Sequence, residues 1–521
     1  MNDNKITIFL TGITGNMGKI VFENLLEHEN FYLKVLVRPS SINKKKLSQY
    51  ENNPNIEIIW GDLLDYSSVL KGIENADYVV HIGGMVSPFC DKKPYLTLKT
   101  NITSAKNITK AILSLPNNDK MKVCYIGSVA ETGSRNYPIH WGRTGDPIKA
   151  SIFDHYALSK IIAERVFVES GIKNWVVLRL SGIIYPNILK QLEPIAFHVP
   201  LNGVLEWCTV EDSGKVIEKM IIEDLNGKLN NKNFWNHFFN VGSGEIYRIT
   251  NYEFEEYILT SLGLPGPKSL FNPDWFALKN FHGHYYADSD KLEDLLHFRE
   301  NLPIKDYFAR LTTQVEFYFG LSKYIPNFLI APAVKLFMRR LCYTKKFGTM
   351  DWKYNKDNDR ITAHFGSYEC WEKIGQDWDK FELKKYETKT SESEKYKLNH
   401  GYDENKDESE LDINDMKKAA EFRGGEVLSK TMKKGDLQTK LKWKCNYCKN
   451  EFDASPCLIL LGGHWCPNCY IPEKKWDYDN IAKVNPFFAQ VWYNDHNKDE
   501  NNSYSFDEIF QENGKKWDDI Y

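Results

Sequence analysis

Tyr156 and Lys160 stand four residues apart in a segment with helical periodicity, so both side chains lie on one face of the predicted helix. A free phenol has a pKa of about 10, and a nearby ammonium group lowers it because the positive charge favours the phenolate. Tyr156 could then exchange a proton with a carbonyl or alcohol oxygen, and Ser128, at the end of an earlier predicted strand, could hydrogen-bond the same oxygen. These three residues predict acid–base chemistry at a carbonyl or alcohol carbon.

Glycines recur in the stretch Thr11–Gly18, which follows the first predicted strand. Gly12 permits a tight turn, Gly15 lets the backbone approach a pyrophosphate, and Gly18 allows the following helix to pack closely on the strand. The helix N-terminus then offers free N–H groups to the phosphates. A glycine trio between the first strand and the first helix is typical of a dinucleotide site. The other residues assigned to this turn are Thr14, Asn16 and Met17.

The second predicted strand ends at Arg38, where an NAD-specific site usually carries Asp or Glu for the ribose 2′-hydroxyl. Arg38 would instead pair with a 2′-phosphate, and Ser40 could add a hydrogen bond, which favours NADP(H). The alternative is a solvated arginine in a loop. Asp62, followed by Leu63 at the end of the third predicted strand, could accept from the adenine amino group or could cap a helix.

Short apolar runs alternate with amphipathic helical patterns from Lys5 to about Trp207. Such alternation predicts a Rossmann-type α/β fold, a doubly wound parallel sheet with helices on both faces. The predicted strands are Ile6–Leu10, Leu33–Val37, Ile56–Trp60, Tyr78–Ile82, Val123–Ile126 and Trp175–Leu180.

Several stretches within residues 1–310 together resemble the extended short-chain dehydrogenases/reductases, a group that includes NAD(P)-dependent epimerases, dehydratases and 3β-hydroxysteroid dehydrogenases. The stretches are T-G-I-T-G-N-M-G, G-D-L, H-I-G-G-M-V-S, K-T-N-I-T-S-A-K-N-I, G-S-V-A-E-T-G, Y-A-L-S-K, V-L-R-L-S-G-I-I-Y, C-T-V-E-D-S-G and F-N-V-G-S-G. The resemblance implies a seven-stranded Rossmann-like sheet with a small C-terminal substrate lobe.

The same resemblance implies a role for particular residues. Ser128, Tyr156 and Lys160 match the catalytic triad of the family, and Asn101 matches an Asn that helps to order the site. The segment that passes the nicotinamide ribose corresponds to Ile82, Gly83 and Gly84.

Two features bear on the substrate. Val129 and Ala130 follow Ser128, where the sugar-nucleotide dehydratases of this group carry Asp-Glu for elimination; neither residue can move a proton, which disfavours dehydration. The segment from Tyr185 to Trp207 is short, mostly apolar and free of arginine, so a diphosphate would lack its usual anchor. An apolar lid suits a ketone, aldehyde or alcohol with a hydrophobic body, or else these side chains simply pack the lobe.

Two C-x-x-C pairs stand near the C-terminus, with seventeen residues between them; they are formed by Cys445, Cys448, Cys466 and Cys469. Four thiolates at this spacing predict a tetrahedral structural Zn²⁺ site that leaves no open position for catalysis. The segment resembles the zinc ribbons in which an R-G-G stretch, here beginning at Arg423, and a W-C-P-x-C knuckle flank a Trp-rich β-unit. Cys457 and His464 are spare ligand candidates, interpreted as a core thiol and a loop imidazole.

Net charge over the 521 residues is −3, which gives no global electrostatic case for binding nucleic acid or an anionic membrane. Zinc ribbons often bind nucleic acid, but the acidic tail favours a protein partner, as yet unknown, for this one. No signal peptide and no run of 18 apolar residues is present, so we expect a cytoplasmic protein without a transmembrane segment. Family members often pair through the helix that carries Tyr156, which predicts a homodimer.

The leading hypothesis is an NADP(H)-dependent oxidoreductase that acts on a small hydrophobic carbonyl or alcohol through the Ser-Tyr-Lys triad. One alternative is a nucleotide-sugar epimerase with a shortened substrate lobe. The other is an NADP(H)-sensing scaffold that acts through the zinc ribbon, although a sensor would not need Ser128 or Tyr156.

Composition divides the chain into five parts: residues 1–310, the NADP-binding and catalytic domain; 311–383, a helical extension; 384–414, a polar linker; 415–475, the zinc ribbon; and 476–521, an aromatic and acidic tail. The linker has few apolar residues, so we expect it to stay flexible and to leave the two modules separable.

The segment Phe328–Leu341 mixes apolar residues with Lys and Arg and could lie on a membrane surface. The favoured interpretation is a helix docked on the main domain, because Pro326 and Pro332 shorten it.

Overall fold

The computed structural model describes residues 5–87, 89–190, 193–230, 233–315, 324–470, 475–505 and 520. Its strands are β1 Ile6–Thr11, β2 Phe31–Val37, β3 Ile56–Trp60, β4 Tyr78–His81, β5 Lys122–Ser128, β6 Trp141–Gly142, β7 Asn174–Leu180, β8 Ile183–Ile184, β9 Val204–Glu206, β10 Cys208–Thr209, β11 His237–Val241, β12 Arg248–Thr250, β13 Tyr285–Tyr286, β14 Gly425–Val427, β15 Leu441–Cys445, β16 Glu451–Ala454, β17 Lys475–Trp476 and β18 Tyr504–Ser505. Its α-helices are α1 Asn16–Leu26, α2 Ser41–Leu47, α3 Tyr66–Ile73, α4 Phe89–Lys92, α5 Pro94–Ser114, α6 His155–Val168, α7 Val210–Leu225, α8 Asn251–Ser261, α9 Pro267–Leu270, α10 Ser289–Leu296, α11 Ile304–Thr313, α12 Asn327–Cys342, α13 Thr349–Tyr354, α14 Asn358–Phe365, α15 Tyr368–Ile374, α16 Ile413–Phe422, α17 Pro456–Leu460, α18 Pro467–Tyr470, α19 Tyr478–Val484 and α20 Pro486–Trp492.

Seven strands form one parallel sheet in the order β11-β7-β5-β4-β1-β2-β3. Their runs of Ile, Val, Leu and Phe are buried on both faces, as parallel strands between two helical layers require. Helices α1, α7 and α10 cover one face, and α3, α5 and α6 cover the other. The Rossmann-type doubly wound fold predicted from the sequence is therefore confirmed. The strand order reverses between β1 and β4, and ligands of such sheets bind at this crevice.

The substrate lobe consists of short strand pairs and helices beyond the last strands of the sheet. Strand β9 pairs with β12, and β8 pairs with β10, while α8 and α11 enclose a separate apolar cluster. Helices α12 to α15 pack onto this lobe, where Thr349 Oγ1 donates to the Trp275 carbonyl at 2.6 Å and Trp371 Nε1 donates to the Asp274 carbonyl at 2.7 Å. No helix of the described ranges combines the length and the apolar character needed to cross a membrane.

Residues 384–414 do not form the flexible linker expected from their composition. His400 and Leu411 are buried, and the His400 ring lies 2.9 Å from a carboxylate oxygen of Asp146. Arg143 donates two hydrogen bonds to Glu404, one of them at 2.9 Å. The expectation is wrong because the polar residues of this segment find charged partners on the catalytic domain, and Leu411 joins its apolar core.

The cysteine-bearing segment forms its own small antiparallel sheet, β14-β15-β16, yet shares one apolar core with the parallel sheet. Arg179 on β7 donates to the Gly462 carbonyl at 2.7 Å, and Arg165 on α6 donates to the Trp465 carbonyl at 3.0 Å. Gly463 lies so close to the catalytic domain that an added Cβ atom would stand 1.9 Å from the Asp146 carbonyl oxygen. The expectation that the two modules separate is therefore contradicted.

We predict that Gly463→Ala destabilises the whole chain, because the new methyl group overlaps the Asp146 backbone across the interface. Overpacking of this kind costs about 1–3 kcal/mol, in addition to the strain of a left-handed alanine. Urea unfolding followed by circular dichroism should show one transition at a lower midpoint than in the wild type.

Gly171→Ala is the matched control, because Gly171 has a positive φ like Gly463 but nothing within 4 Å of an added Cβ. If the two variants had equal free energies of unfolding, the result would contradict a core shared by the cysteine-bearing segment and the parallel sheet.

Candidate active site

A cavity of about 820 Å³ opens at the carboxyl ends of β1, β2, β4, β5 and β7. All the cofactor and catalytic residues expected from the sequence line it, except Ser40. They are Gly12, Thr14, Gly15, Asn16, Met17, Gly18, Arg38, Asp62, Leu63, Ile82, Gly83, Gly84, Asn101, Ser128, Tyr156 and Lys160.

The glycine turn brings the loops after β1 and β4 into contact. Gly12 has a φ of +79°, and a Cβ atom there would lie 2.7 Å from the Gly83 nitrogen. A Cβ atom on Gly18 would lie 2.2 Å from the Gly12 carbonyl oxygen. The Thr11 hydroxyl accepts from the Gly83 N–H at 2.9 Å and lies 2.8 Å from the buried His81 ring, which was not predicted as part of the site. Backbone this close, beside the start of α1, fits the pyrophosphate of a dinucleotide.

Arg38 is exposed at the end of β2 and lines the cavity beside Asn43. The Ser40 hydroxyl instead caps α2, accepting from the Asn43 N–H at 3.2 Å, and does not line the cavity. The assignment of Ser40 to the cofactor stays a prediction, because its hydroxyl can still donate while its oxygen accepts at the start of the helix. One oxygen of Asp62 accepts from the Leu64 N–H at 2.9 Å, which leaves its other oxygen for a ligand.

Ser128, Tyr156 and Lys160 meet where β5 ends above α6. Lys160 Nζ donates to the Ile126 carbonyl and lies 4.4 Å from the centre of the Tyr125 ring. Burial raises the pKa of Tyr156 above its usual value, and a hydrogen bond with Ser128 lowers it only in part. The expected lowering by Lys160 is therefore not found, because burial is the largest influence on this pKa and Lys160 is not among the groups that lower it. Burial also lowers the pKa of Lys160 to about 8.

Asn101 ties together the elements around the triad. Its amide oxygen accepts from the Met85 N–H at 2.7 Å, and its amide nitrogen donates to the Met85 carbonyl and, at 2.8 Å, to the Ser159 hydroxyl. The side chain therefore fixes the loop after β4 against α6. This geometry makes Asn101 a positioning residue.

A buried ion cluster beneath the triad was not predicted from the sequence. Arg179 donates to both oxygens of Glu164, at 3.0 and 2.6 Å, and lies 3.6 Å from Glu131, which accepts from the Ser128 N–H at 2.8 Å. Burial and the charge of Glu164 raise the pKa of Glu131. Burial acts to raise the pKa of Glu164 too, but Arg179 outweighs it and lowers that pKa. An arginine inside the apolar strand V-V-L-R-L was the available signal.

The substrate half of the cavity is mostly apolar. Its walls include Ile188, Ile195, Phe197, Leu205, Trp207, Phe254, Ile258, Phe271, Met338 and Leu341. Arg135 also borders the cavity, but its side chain is fully buried, and one guanidinium nitrogen donates to Asp146 at 2.8 Å. The expectation that a diphosphate would lack its usual arginine anchor therefore stays a prediction.

Residues 8–190 match the sequence model of the NAD dependent epimerase/dehydratase family. The resemblance predicted from the sequence motifs is thereby confirmed.

Similar proteins include the UDP-glucose 4-epimerase of Rickettsia bellii strain OSU 85-389, 30% identical over 191 residues, which are 36% of this chain and 53% of the relative. The inverting UDP-N-acetylglucosamine 4,6-dehydratase of Campylobacter jejuni is 28% identical over 109 residues, 21% of this chain and 33% of the relative. The chain thus spans about half the length, at most, of these relatives.

Solved structures show the same kind of likeness at lower identity. The UDP-glucuronic acid 4-epimerase of Bacillus cereus in complex with NAD is 15% identical, with a TM-score of 0.45 over 60% of this chain and 100% of that one. The dTDP-glucose 4,6-dehydratase DesIV of Streptomyces venezuelae is 18% identical, with a TM-score of 0.47 over 59% of this chain and 96% of that one.

The four cysteines of the C-x-x-C pairs converge, with all their sulfur atoms within 4.8 Å of one another. The sulfurs of Cys445 and Cys469 are 3.6 Å apart, and those of Cys448 and Cys466 are 3.4 Å apart. A tetrahedron with Zn–S bonds of about 2.3 Å has edges of about 3.8 Å, so the thiolates fit Zn²⁺. The spare candidates are engaged elsewhere, Cys457 with the Asn236 carbonyl and His464 with Glu164.

Proposed function

We propose that this chain is a nicotinamide-dependent enzyme acting at an alcohol or carbonyl carbon. The observation that carries the proposal is the convergence of Ser128, Tyr156 and Lys160 with the glycine turn in one cavity. A bound nicotinamide would supply hydride exchange. Protonated Tyr156 would donate its proton to a carbonyl oxygen in the reduction direction, and its phenolate form would accept the proton of an alcohol in the oxidation direction, while the Ser128 hydroxyl hydrogen-bonds the same oxygen.

The first candidate reaction is epimerisation of a nucleotide sugar. The curated relatives include UDP-glucose 4-epimerases and a sugar dehydratase, which supports this alternative more than a reductase of hydrophobic substrates. Val129 and Ala130 carry no group that could move a proton, which disfavours dehydration.

The second candidate is an NADP(H)-dependent reductase of a hydrophobic carbonyl compound or its reverse reaction. The apolar wall of the substrate half favours it, because such a wall binds an apolar body well and a sugar diphosphate poorly. A scaffold that senses NADP(H) would bind the cofactor without turnover.

The two reactions differ in what happens to the cofactor. We expect the full chain with bound cofactor to convert UDP-, dTDP- or GDP-sugars into their epimers without net NAD(P)H consumption. A reductase would consume NADPH in equal amount with a ketone or aldehyde. Tyr156→Phe removes the proton donor and should lower either rate by at least about 10²-fold.

Tyr66→Phe is the control, because this hydroxyl lies outside the cavity. Full turnover by Tyr156→Phe would overturn the mechanism, and cofactor binding without turnover on either panel would favour the sensor.

We infer that the cofactor is NADP(H), because Arg38 occupies the cavity wall at the end of β2. Arg38→Ala should weaken NADPH binding about ten- to hundredfold, as expected for a lost charge-assisted contact of about 1.5–3 kcal/mol, and should leave NADH binding nearly unchanged. Fluorescence titration measures both dissociation constants.

Lys44→Ala controls for general charge, because Lys44 is on α2 but does not line the cavity. Equal affinity of the wild-type chain for NADPH and NADH would refute the assignment.

We also propose that the four cysteines hold one structural Zn²⁺. Elemental analysis should find one zinc per chain, and Cys466→Ser should lose it, because three thiolates remain. Since the cysteine-bearing segment shares the core of the sheet, loss of zinc should lower the melting temperature of the whole chain. Cys370→Ser, an exposed cysteine outside the cluster, is the control. A wild-type chain that contains no zinc, and whose melting temperature equals that of Cys466→Ser, would exclude the site.

A further inference from the structure

The outer face of α12 is an unusual concentration of exposed apolar side chains. Phe328, Leu329, Leu336 and Phe337 are 76%, 59%, 52% and 45% exposed, and Tyr324 just before the helix is 85% exposed. Soluble proteins scatter such residues singly, whereas a contiguous apolar face marks an interaction surface. Leu329 and Leu336, seven positions apart, align along the helix, with Phe328 and Phe337 at the two edges, so the four side chains occupy one half of its circumference.

The inner face of α12 is docked and holds the helix in this orientation. Met338 and Cys342 are buried in the cluster that α12 shares with α13 to α15, and Met338 and Leu341 line the active-site cavity. The interpretation favoured from the sequence, a helix docked on the main domain, is therefore correct for the inner face of α12 alone. Because turning α12 to hide the outer face would expose the inner one, the outer face remains available for a partner.

The described segment that contains α12 carries charges of one sign. Residues 324–350 contain no Asp or Glu and five basic residues, in a chain whose net charge is −3; the basic residues are Lys335, Arg339, Arg340, Lys345 and Lys346. Arg339 and Arg340 are exposed at the end of the apolar face and form no ion pair with a described carboxylate. The net charge of the whole sequence therefore does not reveal this local positive charge.

We propose that α12 binds the surface of an anionic phospholipid bilayer. The helix would lie in the plane of the interface, with Phe328, Leu329, Leu336 and Phe337 entering the acyl boundary and the basic residues meeting lipid phosphates. At 16 residues it is about 24 Å long, shorter than the hydrocarbon core of about 30 Å, so it fits a surface position and not a span.

A second copy of the chain fits this surface less well. A two-fold dimer through the outer face of α12 would place its arginines and lysines against the same residues of the partner, and like charges across an interface are costly. An anionic bilayer satisfies the apolar face and the basic residues together.

The proposal is tested by sedimenting the full-length protein with vesicles, without substrate. We expect binding to phosphatidylcholine vesicles that contain about 30% phosphatidylserine, at least about tenfold weaker binding to phosphatidylcholine alone, and weakening at about 0.5 M salt. The double variant Phe328→Ser, Phe337→Ser and the charge variant Arg339→Glu, Arg340→Glu should each bind at least about tenfold more weakly than the wild type.

The control is the double variant Ile42→Ser, Leu113→Ser, which removes two side chains that are 68% and 41% exposed on α2 and α5, helices of the parallel-sheet domain. It should bind as the wild type does, and unchanged melting temperatures establish that the variants are folded. No binding to anionic vesicles, or equal loss in the control, overturns the proposal. A dimer in light scattering that Phe328→Ser, Phe337→Ser dissociates, without vesicle binding, would assign the surface to a second copy instead.

Discussion

A guanidinium group enclosed in protein must be surrounded by acceptors, and the arrangement of this molecule follows from how Arg179 meets that requirement. Glu164 binds it from the helix of Tyr156, Glu131 approaches it from the turn after Ser128, and the Gly462 carbonyl binds it from the cysteine-bearing segment. Removing one partner of a buried pair typically costs about 3–5 kcal/mol. The buried charge of Arg179 thus stabilises the positions of both the triad and the cysteine-bearing segment.

The parts of the site that sequence reasoning placed correctly depend on short-range patterns. Gly12 and Gly18 are separated by one turn, and Tyr156 and Lys160 by one helical turn, so local geometry alone brings each pair together. The pKa of Tyr156 was misjudged because residue spacing indicates only that Tyr156 and Lys160 are close along a helix. Spacing does not reveal how deeply Tyr156 is buried, nor that Lys160 donates to the Ile126 carbonyl.

Long-range pairing accounts for the other differences. Composition made residues 384–414 a linker, since few of them are apolar, but Glu404 and His400 are ordered by Arg143 and Asp146, more than 250 residues earlier. In the same way, the arginine within β7 gave no indication that its guanidinium group binds the Gly462 carbonyl, 283 residues later. No periodicity or propensity encodes such partners.

The position of Gly462 along the chain has a consequence for biosynthesis. Ribosomes add residues from the N-terminus, so Ser128, Tyr156, Lys160 and the glycine turn are all translated well before the Gly462 carbonyl that accepts from Arg179. A nascent chain that carries all of these residues therefore still lacks one acceptor of its buried guanidinium group. Chains released early would be left with this charge less fully paired.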